Sequence, residues 1–275
     1  MATVEETVDA RGIPFHCVEA GEGQALFFIH GMCGFAEVWR GQAERLSPRF
    51  RCVAYDRRGH TGTPRGTEPE STETHAMDGA ALIEALDLDR PVVVGSSGGA
   101  RIALELARTR PDLLAGAVFS EPPAFAIDPE AAAGLLKALK GVVGPAVAAG
   151  DARAAVDAFF PLLCPGLWSS LDEEGRDRYR ANGPMMLEEL TGPPYPLTAA
   201  GAATIAVPAL VLSGTESHPA LQALARRLAD VLPEARWVAL AGSGHVTYAE
   251  RPDAFARAVA GFAGNLAVAG PQTGK

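Results

Sequence analysis

Residues 92 to 99 read Val-Val-Val-Gly-Ser-Ser-Gly-Gly. Three β-branched residues in succession predict a strand, and the lack of alternation predicts burial on both faces. The strand runs directly into Gly95-Ser96-Ser97-Gly98-Gly99, and the stretch from Ala100 to Arg110 reads as a helix. A strand that reverses into a helix within five residues crowds its own backbone. Gly95 and Gly99 remove the side chains that would clash there. The turn aims the Ser97 hydroxyl away from the backbone. It also leaves the Gly98 amide free at a helix N-terminus, where it can donate to a developing oxyanion. Strand, Ser-centred turn and helix together form the setting of a nucleophilic serine. Ser96 is the poorer candidate, because Val94 would fill the first glycine position of its frame. The plain alternative is a Gly/Ser-rich loop that only joins two elements.

The rest of the chain repeats this alternation. Strands are predicted at 3–9 and 13–19 about an Arg11-Gly12 turn, then at Ala25–Ile29, Arg51–Tyr55, Pro91–Val94, Leu114–Ser120, Pro208–Ser213 and Arg236–Leu240. Helical spacing marks Phe35–Leu46, Thr74–Leu86, Pro219–Leu232 and Pro252–Phe262. In the helix after Ser97, the buried face is Ile102, Ala103, Leu106 and Ala107. Arg101, Glu105 and Arg108 form the solvated one. Strands alternating with helices imply an α/β fold with a doubly wound, mostly parallel sheet. Residues 124–200 break the rhythm, being Ala-rich and helical in pattern. They are expected to form a cap of three or four short helices over a core made of 1–123 and 201–275. Trp168, Met185 and Met186 are the cap residues expected to touch a ligand, since Met and aromatic side chains give adaptable apolar contact.

Ligands of such sheets bind outside the carboxyl ends of the strands. His30-Gly31, Asp56, Ser97, Glu121, Glu216 and His245 each follow a predicted strand. A serine hydroxyl needs an imidazole to take its proton and return it to the leaving group. His245, in the Gly-rich loop after the last strand, is the candidate. A formal net charge of −9 disfavours nucleic acid or an anionic membrane surface as partner. No apolar run reaches the roughly 18 residues of a membrane span. Met1–Ala10 is unlike a signal peptide. Cys17, Cys33, Cys52 and Cys164 lack metal or redox spacing, which suggests reduced thiols and a cytoplasmic setting. The expected partner is a small molecule, with no metal and no cofactor. A homodimer is an open alternative. The tail from Val268 to Lys275 is expected to be frayed.

Four motifs, His30-Gly31-Met32-Cys33-Gly34, Asp56-Arg57-Arg58-Gly59-His60, Gly95-Ser96-Ser97-Gly98-Gly99 and Gly242-Ser243-Gly244-His245, resemble in order and spacing the α/β-hydrolase superfamily. The resemblance implies a serine hydrolase. It gives His30 and Asp56 structural roles and makes the Met32 amide the second oxyanion donor beside Gly98. In one respect the chain departs from the superfamily. The usual acid position, three residues after Gly214, is Ser217. Two carboxylates stand in reach. Glu216 lies one residue early in that loop, and Glu121 closes the strand after the elbow. Ser120-Glu121-Pro122-Pro123 is similar to a Glu-containing motif of the resorcylic lactone hydrolases, so Glu121 is favoured and Glu216 is the alternative.

The expected activity is therefore hydrolysis of a small to medium hydrophobic ester or lactone through an acyl-enzyme. Other chemistry on the same scaffold remains a rival reading: C–C bond hydrolysis, perhydrolysis or a lyase reaction. A non-catalytic small-molecule binder is a third reading, and it leaves the paired serine and histidine unexplained.

Overall fold

The apolar runs assemble into one eight-stranded sheet in the computed structural model, which describes residues 3–268. The strands are β1 (Val4–Ala10), β2 (Ile13–Ala20), β3 (Ala25–Ile29), β4 (Arg51–Tyr55), β5 (Val92–Ser96), β6 (Gly116–Ser120), β7 (Ala209–Gly214) and β8 (Ala235–Leu240). Their order is β1-β2-β4-β3-β5-β6-β7-β8. The hairpin β1–β2 and the β2–β4 pair are antiparallel, and β3 to β8 are mutually parallel. The hairpin turns through Arg11 and Gly12, both at positive φ.

Thirteen α-helices complete the described residues: α1 (Arg40–Leu46), α2 (Thr72–Ala85), α3 (Gly98–Thr109), α4 (Pro129–Val142), α5 (Gly144–Ala148), α6 (Ala152–Leu163), α7 (Pro165–Ser170), α8 (Glu173–Ala181), α9 (Gly183–Thr191), α10 (Ala199–Ala202), α11 (Pro219–Val231), α12 (Thr247–Glu250) and α13 (Pro252–Val268). Layers on both faces account for the near-continuous apolar strands. Phe27, Val93 and Phe119 pack on one face, against α2 and α3. Phe28, Val94 and Val118 pack on the other, against α1 and α13.

Strand order reverses at β3, which lies between β4 and β5. Crevices open at such a switch point, outside the carboxyl ends of the strands. Ile29 pairs with Gly95 across β3 and β5, so this crevice lies where His30-Gly31-Met32 and Ser97 leave the sheet.

Several expectations are corrected. β5 runs on through Gly95 and Ser96 because both are paired to β6, at Phe119 and Ser120. Seven α-helices, not three or four, and one 3-10 turn at Phe125–Ile127 fill the stretch between β6 and β7. Prolines at the first turns of α4, α5, α7 and α9 each start a new helix rather than merely interrupting one. Of the face expected to be solvated, Arg108 is exposed, but Arg101 and Glu105 are not. Glu105 is buried and accepts from Arg108 Nε and the Tyr195 hydroxyl, while Arg101 is covered by Glu189 of α9. The predicted tail beyond residue 268 lies outside the described residues.

Candidate active site

Ser97 leads into α3 with φ 54° and ψ −122°, a left-handed conformation that costs energy for a residue with a side chain. The surrounding backbone enforces it. A Cβ on Gly95 would lie well inside van der Waals contact with the Gly99 carbonyl, and one on Gly99 would strike the Ile29 and His30 carbonyls. Gly95→Ala is therefore expected to destabilise the protein by more than about 3 kcal/mol, because the opposing atoms are backbone and cannot rotate away. A urea denaturation midpoint unchanged from the parent would contradict this.

His245 comes from the loop between β8 and α12. Its Nε2 lies 2.9 Å from Ser97 Oγ, and its Nδ1 lies 3.1 Å from Glu121 Oε2. Glu121 is fully buried at the end of β6, also with φ 54°. Its carboxylate accepts the Gly214 N–H on Oε1 at 2.7 Å and the Ser217 hydroxyl on Oε2 at 2.5 Å. Ser217, at the superfamily's usual acid position, thus donates to the carboxylate that faces the histidine. Glu216 is exposed, and only its backbone is tied in, with its N–H donating to the Ser243 carbonyl. Of the two glutamates, Glu121 is the one joined to His245.

The Met32 nitrogen lies beside Gly98, since a Cβ on Gly98 would be 3.4 Å from it. Gly98 opens α3, where no intrahelical acceptor exists for its N–H. His30 fixes this loop. Its Nε2 accepts the Arg57 N–H at 3.1 Å, so Nδ1 carries the proton and donates to the Gly31 carbonyl at 2.8 Å. Burial, with the neighbouring His60 and Arg57, holds His30 well below its ordinary pKa, in keeping with that neutral tautomer. Asp56 ties three segments together, accepting from the Ala36 and Gly62 amides at 2.6 and 3.0 Å and facing His16 Nδ1 at 2.9 Å.

Two lobes of one cleft meet at Met32, Ser97, Phe159 and His245. One is walled by Phe160, Leu167 and Tyr179, the other by Phe125, Leu135, Leu139 and Leu163, with Arg101 and Glu189 at its margin. The cap residues named from sequence stand elsewhere. Trp168 stacks on the outer side of Phe160, with ring centroids 5.0 Å apart, beneath the guanidinium groups of Arg176 and Arg180. Met185 is buried against Gly59, and Met186 is buried in the helical cluster. The pattern showed an apolar segment but not how each short helix is rotated. Arg101 lies one helical turn past Ser97, a spacing within reach of an acidic substrate, but its charge and its place in the Arg101, Glu105, Arg108 repeat favour the solvated reading that the contact with Glu189 overturns.

Among the described residues, no group of three or more His, Cys, Asp or Glu side chains is placed to hold a metal ion. No helix among them is long and apolar enough to cross a membrane.

The sequence profile of the Alpha/beta hydrolase family matches residues 26–258. A Mycobacterium tuberculosis protein, provisionally named non-heme bromoperoxidase BpoC, is 29% identical over 267 residues, covering 88% of this chain and 94% of its own. Two solved structures share the fold. A thermophilic esterase from Thermogutta terrifontis has a TM-score of 0.75 and 22% identity, covering 97% of this chain and 99% of its own. The enol-lactonase from Burkholderia xenovorans LB400 has a TM-score of 0.74 and 24% identity, covering 93% and 98%. With its profile match spanning most of the sequence and its sheet, elbow and helix order in place, the chain belongs to the Alpha/beta hydrolase family.

Proposed function

We propose that the protein is a serine-dependent hydrolase of small to medium hydrophobic esters or lactones. The observation that carries this reading is the unbroken hydrogen-bonded line from Ser97 Oγ through His245 to Glu121. It stands on a strained elbow beside an apolar cleft. In the neutral histidine, Nδ1–H donates to Glu121, and Nε2 accepts the Ser97 hydroxyl. Ser97 Oγ attacks the substrate carbonyl as His245 Nε2 takes its proton. The Met32 and Gly98 amides receive the oxyanion. As the tetrahedral intermediate collapses, His245 returns the proton to the leaving alkoxide. A water activated by the same histidine then cleaves the acyl-enzyme. Residues 124–200 act as a cap whose Phe159, Leu163 and Tyr179 replace water around the substrate.

A fluorophosphonate probe tests the nucleophile, with a panel of p-nitrophenyl esters and aliphatic and aromatic lactones testing turnover. Labelling at Ser97, with hydrolysis of the panel, is the expected result. Labelling at Ser96, or no labelling, would sink the reading. Products of C–C cleavage, or turnover that requires peroxide, would instead favour the rival chemistries on this scaffold. Leu163→Trp tests the cap. The larger ring should fill the apolar lobe and lower kcat/KM for octanoate relative to acetate esters by roughly tenfold or more, the scale set by methylene-sized misfits in a pocket. An equal loss on both esters would show that the lobe holds no part of the acyl chain.

A further inference from the structure

The apolar lobe ends in charge. Arg101 Nη2 donates to Glu189 Oε2 at 3.2 Å, and Arg57 Nη2 donates to Glu189 Oε1. One carboxylate, carried by α9, is thus shared by two guanidinium groups, one from α3 and one from the loop after β4. Arg57 is fully buried, yet its Nε and Nη1 have no partner, and neither does Arg101 Nε. A Cβ on Gly98 would lie 3.7 Å from Arg57 Nη1 and 3.7 Å from Glu189 Oε2. The unpartnered edge of Arg57 therefore borders the corner of the Gly98 and Met32 amides.

The charges do not balance. Burial raises the Glu189 carboxyl, but Arg57 and Arg101 outweigh it and hold the group below its ordinary value, so it is ionised. Glu70, the next carboxyl to Arg57, is pushed by burial up to about 7, and its Oε2 is already paired with His75 Nε2 at 2.6 Å. His60 and His75 are held neutral by burial and by the Arg57 charge. Two guanidinium groups thus share the Glu189 carboxylate, and burial weakens the ionisation of the next one, Glu70. Leaving a buried charge uncompensated is costly, and a purely apolar substrate would not relieve it.

We propose that Arg101, backed by Arg57, is a specificity-determining residue that recognises a carboxylate on the substrate, with Glu189 holding the two arginines in place until that carboxylate arrives. The proposal rests on the ester or lactone reading above. Arg101 lies one helical turn, roughly 6 Å, beyond Ser97. That spacing suits a carboxylate three or four carbons beyond the scissile carbonyl.

The test compares phenyl monoesters of glutaric and adipic acid with neutral phenyl pentanoate and hexanoate. The parent should favour the acidic esters. Arg101→Gln should lower the acidic-to-neutral ratio of kcat/KM by about 10- to 100-fold, the scale of a lost hydrogen bond to a charged group. Arg101→Lys should lower it less, and Glu189→Gln should raise it. Parallel losses on both ester classes would reduce the cluster to a structural ion pair and overturn the proposal, as would a preference for cationic esters. Calorimetry of Ser97→Ala protein with monomethyl glutarate and methyl butanoate decides the subsite without turnover. Tighter binding of the acid, lost when Arg101→Gln is added, supports it, and equal binding overturns it. A parent that hydrolyses no ester would remove the catalytic reading, while this titration would still judge the subsite.

Discussion

Ser97→Ala is expected to lower kcat by about 10⁴- to 10⁶-fold with the fold intact, because the nucleophile of a triad cannot be replaced by its neighbours. Alanine keeps the Cβ and the strained backbone and removes only the oxygen 2.9 Å from His245 Nε2. Stability should change little, since no apolar volume is lost. Thermal melting and steady-state ester kinetics on the same preparation check both halves. Ser96 provides the control. It is buried at the end of β5, paired with Ser120, and no bond joins it to the histidine. Ser96→Ala should retain most activity. Full activity in Ser97→Ala would remove the mechanism, whatever its effect on stability.

The second large effect belongs to the acid. Glu121→Gln should lower kcat by about 10⁴-fold with KM little changed, the magnitude measured for the equivalent Asp-to-Asn change in a serine protease. The hydrogen-bond inventory explains why. Both oxygens of Glu121 accept: Oε1 from the Gly214 N–H, Oε2 from the Ser217 hydroxyl and from His245 Nδ1–H. An amide has one accepting end only. If its NH₂ faces His245, the imidazole must present a bare Nδ1 and carry its proton on Nε2, so it cannot act as base. If the NH₂ faces Gly214 instead, two donors meet in a buried site. Glu216→Gln should cost less than about tenfold, because an exposed side chain beside the loop stabilises no buried imidazolium. Ser217→Asp added to Glu121→Ala gives an independent check. The Ser217 oxygen lies 2.5 Å from Glu121 Oε2, so a carboxylate at 217 enters the vacated space and should recover part of the lost kcat. A Glu121→Gln enzyme with unimpaired kcat would move the acid elsewhere and leave Ser97 and His245 in place.

Much of this molecule was readable along the chain, because the signals were local. A run such as Val92–Val94 has one stable environment, between two helical layers, and Gly95 and Gly99 are needed wherever a strand turns into a helix so abruptly. The order of the motifs placed Ser97 and His245 at the same end of the sheet, since parallel strands share a carboxyl edge. The choice of carboxylate was only half readable. Glu121 and Glu216 each follow a strand, and the local cues, the two prolines after Glu121 and the early place of Glu216 in its loop, favour Glu121 without placing it beside the histidine. The difference arises because β6 lies between β5 and β7, which brings residue 121 to Gly214, Ser217 and a histidine 124 positions away.

The cleft lining belonged wholly to the tertiary structure. Short helices divided by prolines show which segments are apolar but not how each is rotated, because that is set by packing among helices. Trp168 and Met186 pack among the helices between β6 and β7, and Met185 packs on Gly59 of the loop after β4, while Phe159, Leu163 and Tyr179 face the cleft. The same holds for Arg101. Its charge suggested solvent, but α9 covers that side of α3 and supplies the Glu189 carboxylate that makes burial tolerable. Periodicity and turn chemistry act between neighbours in sequence and so specify the sheet and its loops. Which side chains meet across 90 to 150 residues depends on helix rotation and strand order, which only the assembled core decides.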